Sequence, residues 1–117
     1  MTHKDLEVWK EAIRFVKCVY EATSSFPRNE RYGITDQMRR SAVSVPSNIA
    51  EGAARGTTKE FIRFLYISLG SLSELETQLI VSKELEYDFD MNMLENLEEI
   101  RKKLLSLIRS LKQKLER

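Results

Sequence analysis

ITDQMRRSAVSVPSNIAEGAARGTTKE, residues 34–60, is the stretch on which the choice between sheet and helix turns. Ile34, Met38, Ala42, Val45, Ile49 and Ala53 recur at three- and four-residue steps, so at about 100° per residue they share one arc of an α-helix. A half-buried strand would instead place an apolar residue at every second position. Pro46 lies inside the pattern. A proline there forfeits one backbone hydrogen bond and costs about 3 kcal/mol unless compensated, so a kink near residues 42–46 is expected, with two shorter helices as the alternative. Gly56 ends this helix, and Thr57 to Glu60 has the Thr-x-x-Glu spacing of a capping box that opens the next.

Upstream, Leu6, Trp9, Ile13, Val16 and Tyr20 form a stripe that predicts a first helix over 5–24, with Lys10, Arg14, Lys17 and Glu21 on its polar face. The run from Ser24 to Asn29, with Pro27 in it, is the first connection. The second helix spans 34–55. Downstream, Phe61, Leu65, Ser68, Leu72, Leu75 and Leu79 give a third helix over 58–83. Residues 84–90 alternate acidic and apolar, and Asp88 or Asp90 is placed to cap a fourth helix over 90–115. Its stripe is Leu94, Leu97, Ile100, Leu104, Ile108, Leu111 and Leu115. Four helices of roughly 20 residues with short loops predict an all-α, antiparallel up-and-down four-helix bundle about 30 Å long. The whole chain, residues 1–117, reads as one domain.

The third helix carries apolar residues beyond its core stripe: Tyr66, Ile67 and Val81 project on the other side, and Gly70 among them leaves room for a close neighbour. A helix apolar nearly all round is usually covered on both faces, which points to a homo-oligomer. Scattered surface apolars that need no partner are the alternative.

Composition removes most enzyme classes. The 117 residues are 42% hydrophobic and 32% charged, with 19 Lys and Arg against 18 Asp and Glu, so no global field draws the chain to nucleic acid and any basic surface is local. The single cysteine, Cys18, excludes an internal disulfide, and the single histidine, His3, stands too near the start to build a triad or a zinc site. Gly33, Gly52, Gly56 and Gly70 fit no phosphate-binding loop. Glu84, Glu86, Asp88 and Asp90 lack the glycine and the ligand order of a calcium loop. No cofactor, metal or catalytic residue is therefore expected. An enzyme would need a carboxylate pair, such as Glu51 with Glu74 or Glu76, and nothing in the spacing demands one. The sequence shows no signal peptide and no apolar run long enough to span a membrane, so a cytoplasmic protein is the expectation.

QMRRSAVSVPSNIAEG, residues 37–52, resembles the signature of the 23S rRNA intervening-sequence protein family. The resemblance extends to DLEVWKEA at 5–12, FPRNERYG at 26–33 and EFIRFLYISLGSLSELETQL at 60–79, and so covers nearly the whole chain. One departure precedes the fourth helix, where the family pattern has a glycine beside Tyr87 and this chain has Glu86. The resemblance implies a left-handed up-and-down bundle assembled into a ring-shaped homopentamer, with no enzymatic activity. It suggests an RNA connection through the location of the family's genes. The accessory proteins of diversity-generating retroelements look like more distant relatives; they are strongly basic and bind a reverse transcriptase and nucleic acid.

Within the motif, Asp36, Arg40, Ser44, Ser47, Glu51 and Arg55 line one polar ledge, bordered by Gln37, Ser41 and Asn48. As a functional surface the ledge would bind phosphate or bases, with Arg40 and Arg55 as anion partners and Asn48 as reader. As a structural network, Arg40 pairs with Asp36 and Arg55 with Glu51, while the serines and Asn48 satisfy backbone freed by Pro46. Arg39 shares a third face with Val43, Pro46 and Ala50 and reads as a subunit contact together with Tyr66, Ile67 and Gly70. Arg55, Lys59 and Arg63, joined by Arg39 or Arg40, are the best basic cluster near the motif. Residues 101–117 add seven basic residues against one acid, with Lys112 and Lys114 near the end. Because residues 84–99 hold seven acids and no base, the fourth helix runs acidic to basic as its macrodipole favours. Glu98 with Lys102 and Glu99 with Lys103 are expected i,i+4 pairs. Trp9, Phe61 and Phe64 read as core, not as stacking platforms. Two functions remain: a non-enzymatic oligomeric bundle that binds RNA or DNA through these patches, or a scaffold for a protein partner without nucleic-acid contact.

Overall fold

Four α-helices make the fold in a computed structural model that describes residues 2–116: α1 Glu7–Thr23, α2 Ile34–Ala54, α3 Thr58–Glu84 and α4 Asn92–Leu115. Short 3-10 turns at His3–Asp5 and Arg28–Glu30 precede α1 and α2, and the described residues contain no strand. Contacts pair the start of each helix with the end of its neighbour: Arg39 with Thr23, Ser82 with Met38, and Lys112 with Tyr66. Neighbours therefore run antiparallel. Close backbone approaches join α1 to α2, α2 to α3, α3 to α4 and α4 to α1, and none joins the diagonal pairs. Arg117, counted in the basic tail, lies outside the described residues.

The bundle measures 51 × 22 × 19 Å, longer than the expected 30 Å. The reason is helix length, since α3 has 27 residues and at about 1.5 Å per residue is already about 40 Å long. Met38, Ile49, Leu65, Leu72, Leu75, Leu79, Leu97 and Leu104 are fully buried, so the central stripes of α2, α3 and α4 face inward as their periodicity predicts. Leu115 departs from its stripe and is exposed, because it stands at the last turn of α4.

On α1 the structure corrects the expected core face. Val8, Ala12, Phe15, Val19 and Thr23 are buried, whereas Ile13 and Tyr20 are each 43% exposed. Leu6, Trp9 and Val16 are half-buried and pack against the core from its edge. The two sets lie on adjacent arcs about 100° apart, so the apolar surface of α1 is broader than the single stripe.

The Pro46 helix is continuous from Ile34 to Ala54, which removes the reading as two shorter helices. Pro46 is buried, not on an outer face. Side-chain donors reach the carbonyls beside it: Ser68 donates to Val45 at 2.8 Å and Asn48 to Ser44 at 2.8 Å. These are not the carbonyl that proline leaves without its donor, which belongs to Ala42 four residues back. Among the described residues no side chain donates there.

The α2–α3 turn follows its sequence signals. Gly56 takes φ +88, a conformation that L side chains rarely adopt, and the Thr57 hydroxyl accepts from the Glu60 N–H at 3.1 Å. Glu60 does not complete the reciprocal half of the box, because its carboxylate turns to Arg63. Close packing follows at once: a Cβ built on Gly52 would stand 2.6 Å from Phe64 Cβ. At the other end of α3, Tyr87 N–H donates to the Ser82 carbonyl and Glu86 N–H to that of Lys83, both at 2.9 Å. This paired closure needs a left-handed residue, and Glu86 supplies it at φ 64. The position is the one where the family pattern has glycine.

Candidate functional site

The polar ledge of α2 is bound mostly to its own surroundings. Arg40 donates to Asp36 at 2.9 Å and Arg55 to Glu51 at 2.9 Å, the two i,i+4 pairs that the spacing predicts. Arg55 also lies over the Phe64 ring, 4.9 Å from its centroid. Ser44 shares a hydrogen bond of 2.8 Å with Ser71 of α3, and Asn48 donates to both the hydroxyl and the carbonyl of Ser44. Ser47 alone of the ledge serines stays exposed without a side-chain partner.

Arg39 reaches α1. Its Nε donates to the Thr23 hydroxyl at 2.9 Å, and the guanidinium lies over Tyr20, 4.5 Å from the ring centroid. Arg63 pairs with Glu60 at 3.4 Å and lies over the Phe64 ring, 5.2 Å from its centroid. Four arginines nominated as anion partners thus hold intramolecular contacts. The nominated lysines differ. Lys59 and Lys114 are exposed and have no ion-pair partner among the described residues. Lys112 donates to the Tyr66 hydroxyl at 2.6 Å, a neutral acceptor that leaves its charge uncompensated.

Sequence spacing also missed several residues. Lys4 and Arg109 are exposed and unpaired among the described residues, Lys4 before the start of α1 and Arg109 nearly two turns before the end of α4. The start of α1, the α2–α3 turn and the last turns of α4 share one end of the bundle, so Lys4, Lys59, Lys112 and Lys114 lie toward that end, on different helix faces. The expected α4 pairs are replaced: Glu98 binds Arg101 at 3.1 Å and Glu99 binds Lys102 at 3.6 Å. Lys103 crosses to Glu11 of α1 instead, and this hydrogen bond holds its ammonium above the usual lysine range. Arg101 also donates to Glu76 at 2.7 Å and to Ser73 at 2.9 Å, which ties α4 to α3. Glu51 and Glu76 are therefore arginine-bound, not a carboxylate pair. Tyr87 donates to Glu30 at 2.7 Å, which with some burial raises its pKa above the usual phenol value. No cluster of three or more His, Cys, Asp or Glu among the described residues could hold a metal, and no described helix is long and apolar enough to cross a membrane.

On the outer side of α3, Tyr66, Ile67 and Val81 are 44, 40 and 42% exposed, and a Cβ on Gly70 would meet no atom within 4 Å. Tyr66, Ile67 and Gly70 form a short apolar ridge, with Lys112 over the Tyr66 ring, and the exposed Glu74 and Thr77 separate it from Val81 on the same face.

No curated protein matches the chain. A crystal structure at 1.70 Å resolution of a protein of unknown function, from the S23 ribosomal protein family of Bacteroides thetaiotaomicron VPI-5482, superposes with a TM-score of 0.76 and 24% sequence identity. The match covers 86% of this chain and 97% of that one, so the two share a fold. The sequence model of the 23S rRNA-intervening sequence proteins matches residues 4–111, and the chain belongs to that family.

Proposed function

We propose that this protein is a non-enzymatic, cytoplasmic bundle that assembles as a homopentamer and binds RNA or another nucleic acid through the basic end of the bundle. The observation that carries the reading is the distribution of uncompensated charge. Lys4, Lys59, Lys112 and Lys114 are exposed toward one end without an acidic partner among the described residues, against two carboxylates that hold no cation, Asp5 and Glu116, since Glu51 and Glu60 hold arginines. Lysines held this way are available to phosphate, whereas Arg40 and Arg55 would first have to leave their acids. Five copies of a modest patch in a ring would bind an extended polyanion far better than one. The apolar ridge around Gly70 is the surface through which copies would meet.

The test is fluorescence anisotropy of the protein with a labelled structured RNA at about 50 and 200 mM salt. Four or five phosphate contacts per bound chain predict an affinity loss of about a hundredfold between these concentrations. Lys112→Glu with Lys114→Glu should weaken binding further. No binding at low salt by an intact oligomer overturns the reading. It would favour a scaffold for a protein partner, which the acid-bound ledge arginines would suit.

A further inference from the structure

The basic end also contains a cavity. Its volume is about 660 Å³, within the range of small-ligand sites of roughly 300–1,000 Å³. Leu6, Ala53, Ala54 and Phe61 form an apolar floor between the start of α1, the end of α2 and the start of α3, and His3 and Lys4 stand at the rim. The rim is fixed by local chemistry. Thr2 accepts from the Lys4 N–H at 3.2 Å and donates its own N–H to Asp5 at 2.9 Å, closing a capping box over the 3-10 turn. The His3 ring meets Trp9 edge-on at 5.2 Å.

We propose that this cavity holds one unstacked nucleotide of a single-stranded nucleic acid, its base against Phe61 and its phosphate on Lys4. The proposal rests on the nucleic-acid reading above and adds to it a site for a base. An aromatic ring in an apolar recess suits the π-face of any base. Two of the carboxylates nearby are compensated, Glu51 by Arg55 and Glu60 by Arg63, while Asp5 is turned onto the Thr2 backbone N–H. Lys4 is the exposed cation of the lining, whereas Lys59, two residues before Phe61, lies on the other side of α3 beside Ile62 and Arg63. Lys112 lies apart from this cavity, on Tyr66 at the α3–α4 face, where it can meet only the phosphates of a longer strand.

Trp9 is the only tryptophan and packs on a rim residue, so its fluorescence reports occupancy. The full-length protein is titrated with adenosine monophosphate, with a short oligoadenylate, and with inorganic phosphate and octanoate as separate probes. Adenosine monophosphate and the oligomer should change Trp9 emission, and phosphate and octanoate should not. Ala54→Leu, which fills the floor from an exposed helix position, should weaken mononucleotide binding at least tenfold with an unchanged circular dichroism spectrum. Lys4→Glu should do the same without altering the floor. Lys112→Glu should weaken only the oligomer. Mononucleotide binding unaffected by both Ala54→Leu and Lys4→Glu, no response to millimolar adenosine monophosphate, or a response to octanoate in its place would each overturn the site. Oligomer binding that survives Ala54→Leu and Lys4→Glu but fails on Lys112→Glu would sink the cavity and leave the basic end standing. A mononucleotide response without any oligomer or RNA binding would overturn the nucleic-acid reading and, with it, the cavity as a single-strand site.

Discussion

The hydroxyl of Ser68, fully buried at the centre of α3, donates at 2.8 Å to the carbonyl oxygen of Val45, the residue before Pro46 on α2. The bond fixes the rotation of α3 against the helix that carries the family motif. A hydroxyl in a leucine stripe would be costly if unpartnered, so the pair also specifies register. Ser68→Ala should lower unfolding free energy by about 1 kcal/mol. Chemical denaturation measures it, and an unchanged midpoint would show that the bond adds nothing net.

Gly52 permits the closest approach of α2 to α3. A methyl group there would meet Phe64 Cβ at 2.6 Å and Phe61 Cδ1 at 3.2 Å. Gly52→Ala should therefore destabilise by about 1–3 kcal/mol, although alanine is the better helix former. A more stable variant would mean that the helices separate without cost.

Glu86 holds a left-handed conformation at φ 64 where a side chain is disfavoured by roughly 1–2 kcal/mol. Glycine removes that strain but adds entropy to the unfolded chain, an opposing effect of about 0.5–1 kcal/mol. Glu86→Gly should thus raise stability by up to about 1 kcal/mol, read as a higher thermal midpoint with the same helix content.

Tyr87 donates to Glu30 and joins the α3–α4 loop to the turn before α2. Its pKa is raised above 10.0 by that bond, then by burial and the Glu30 charge, so the folded state retains the proton longer than the unfolded one. The contribution is fully present below pH 10 and is lost as pH rises through the folded-state pKa. Tyr87→Phe should be less stable than the native protein at pH 8, with the gap closing as pH rises above 10. Denaturant midpoints across that range check the sign, and a gap that widened with pH would contradict it.

Gly70 allows the proposed assembly to be tested apart from folding. Since a Cβ there meets nothing within 4 Å, Gly70→Ala should raise helix stability by about 1 kcal/mol. Gly70→Leu should keep the fold and reduce the mass seen in light scattering to that of one chain. An unchanged mass would remove the α3 ridge as the contact.

Much of this was legible locally. Helix number and limits follow from three- and four-residue spacing, and the α2–α3 turn follows from Gly56 and Thr57, whose chemistry acts within a few residues. The Asp36–Arg40 and Glu51–Arg55 pairs were readable for the same reason. Glu86 stood out against the family pattern, and its backbone shows why glycine belongs there. What could not be read were relations set by the rotation of one helix against another.

By itself the sequence determined four amphipathic helices, their order and the family. Only tertiary packing decided that Val8, Ala12, Phe15 and Val19, and not Ile13 and Tyr20, face the core of α1. It also directed Arg39 to Thr23, Lys103 to Glu11, Arg101 to Glu76 and Lys112 to Tyr66. The reason is geometric: a helical period fixes the angles between residues of one helix, but its phase toward a neighbour is set by how the side chains of both helices fill the space between them.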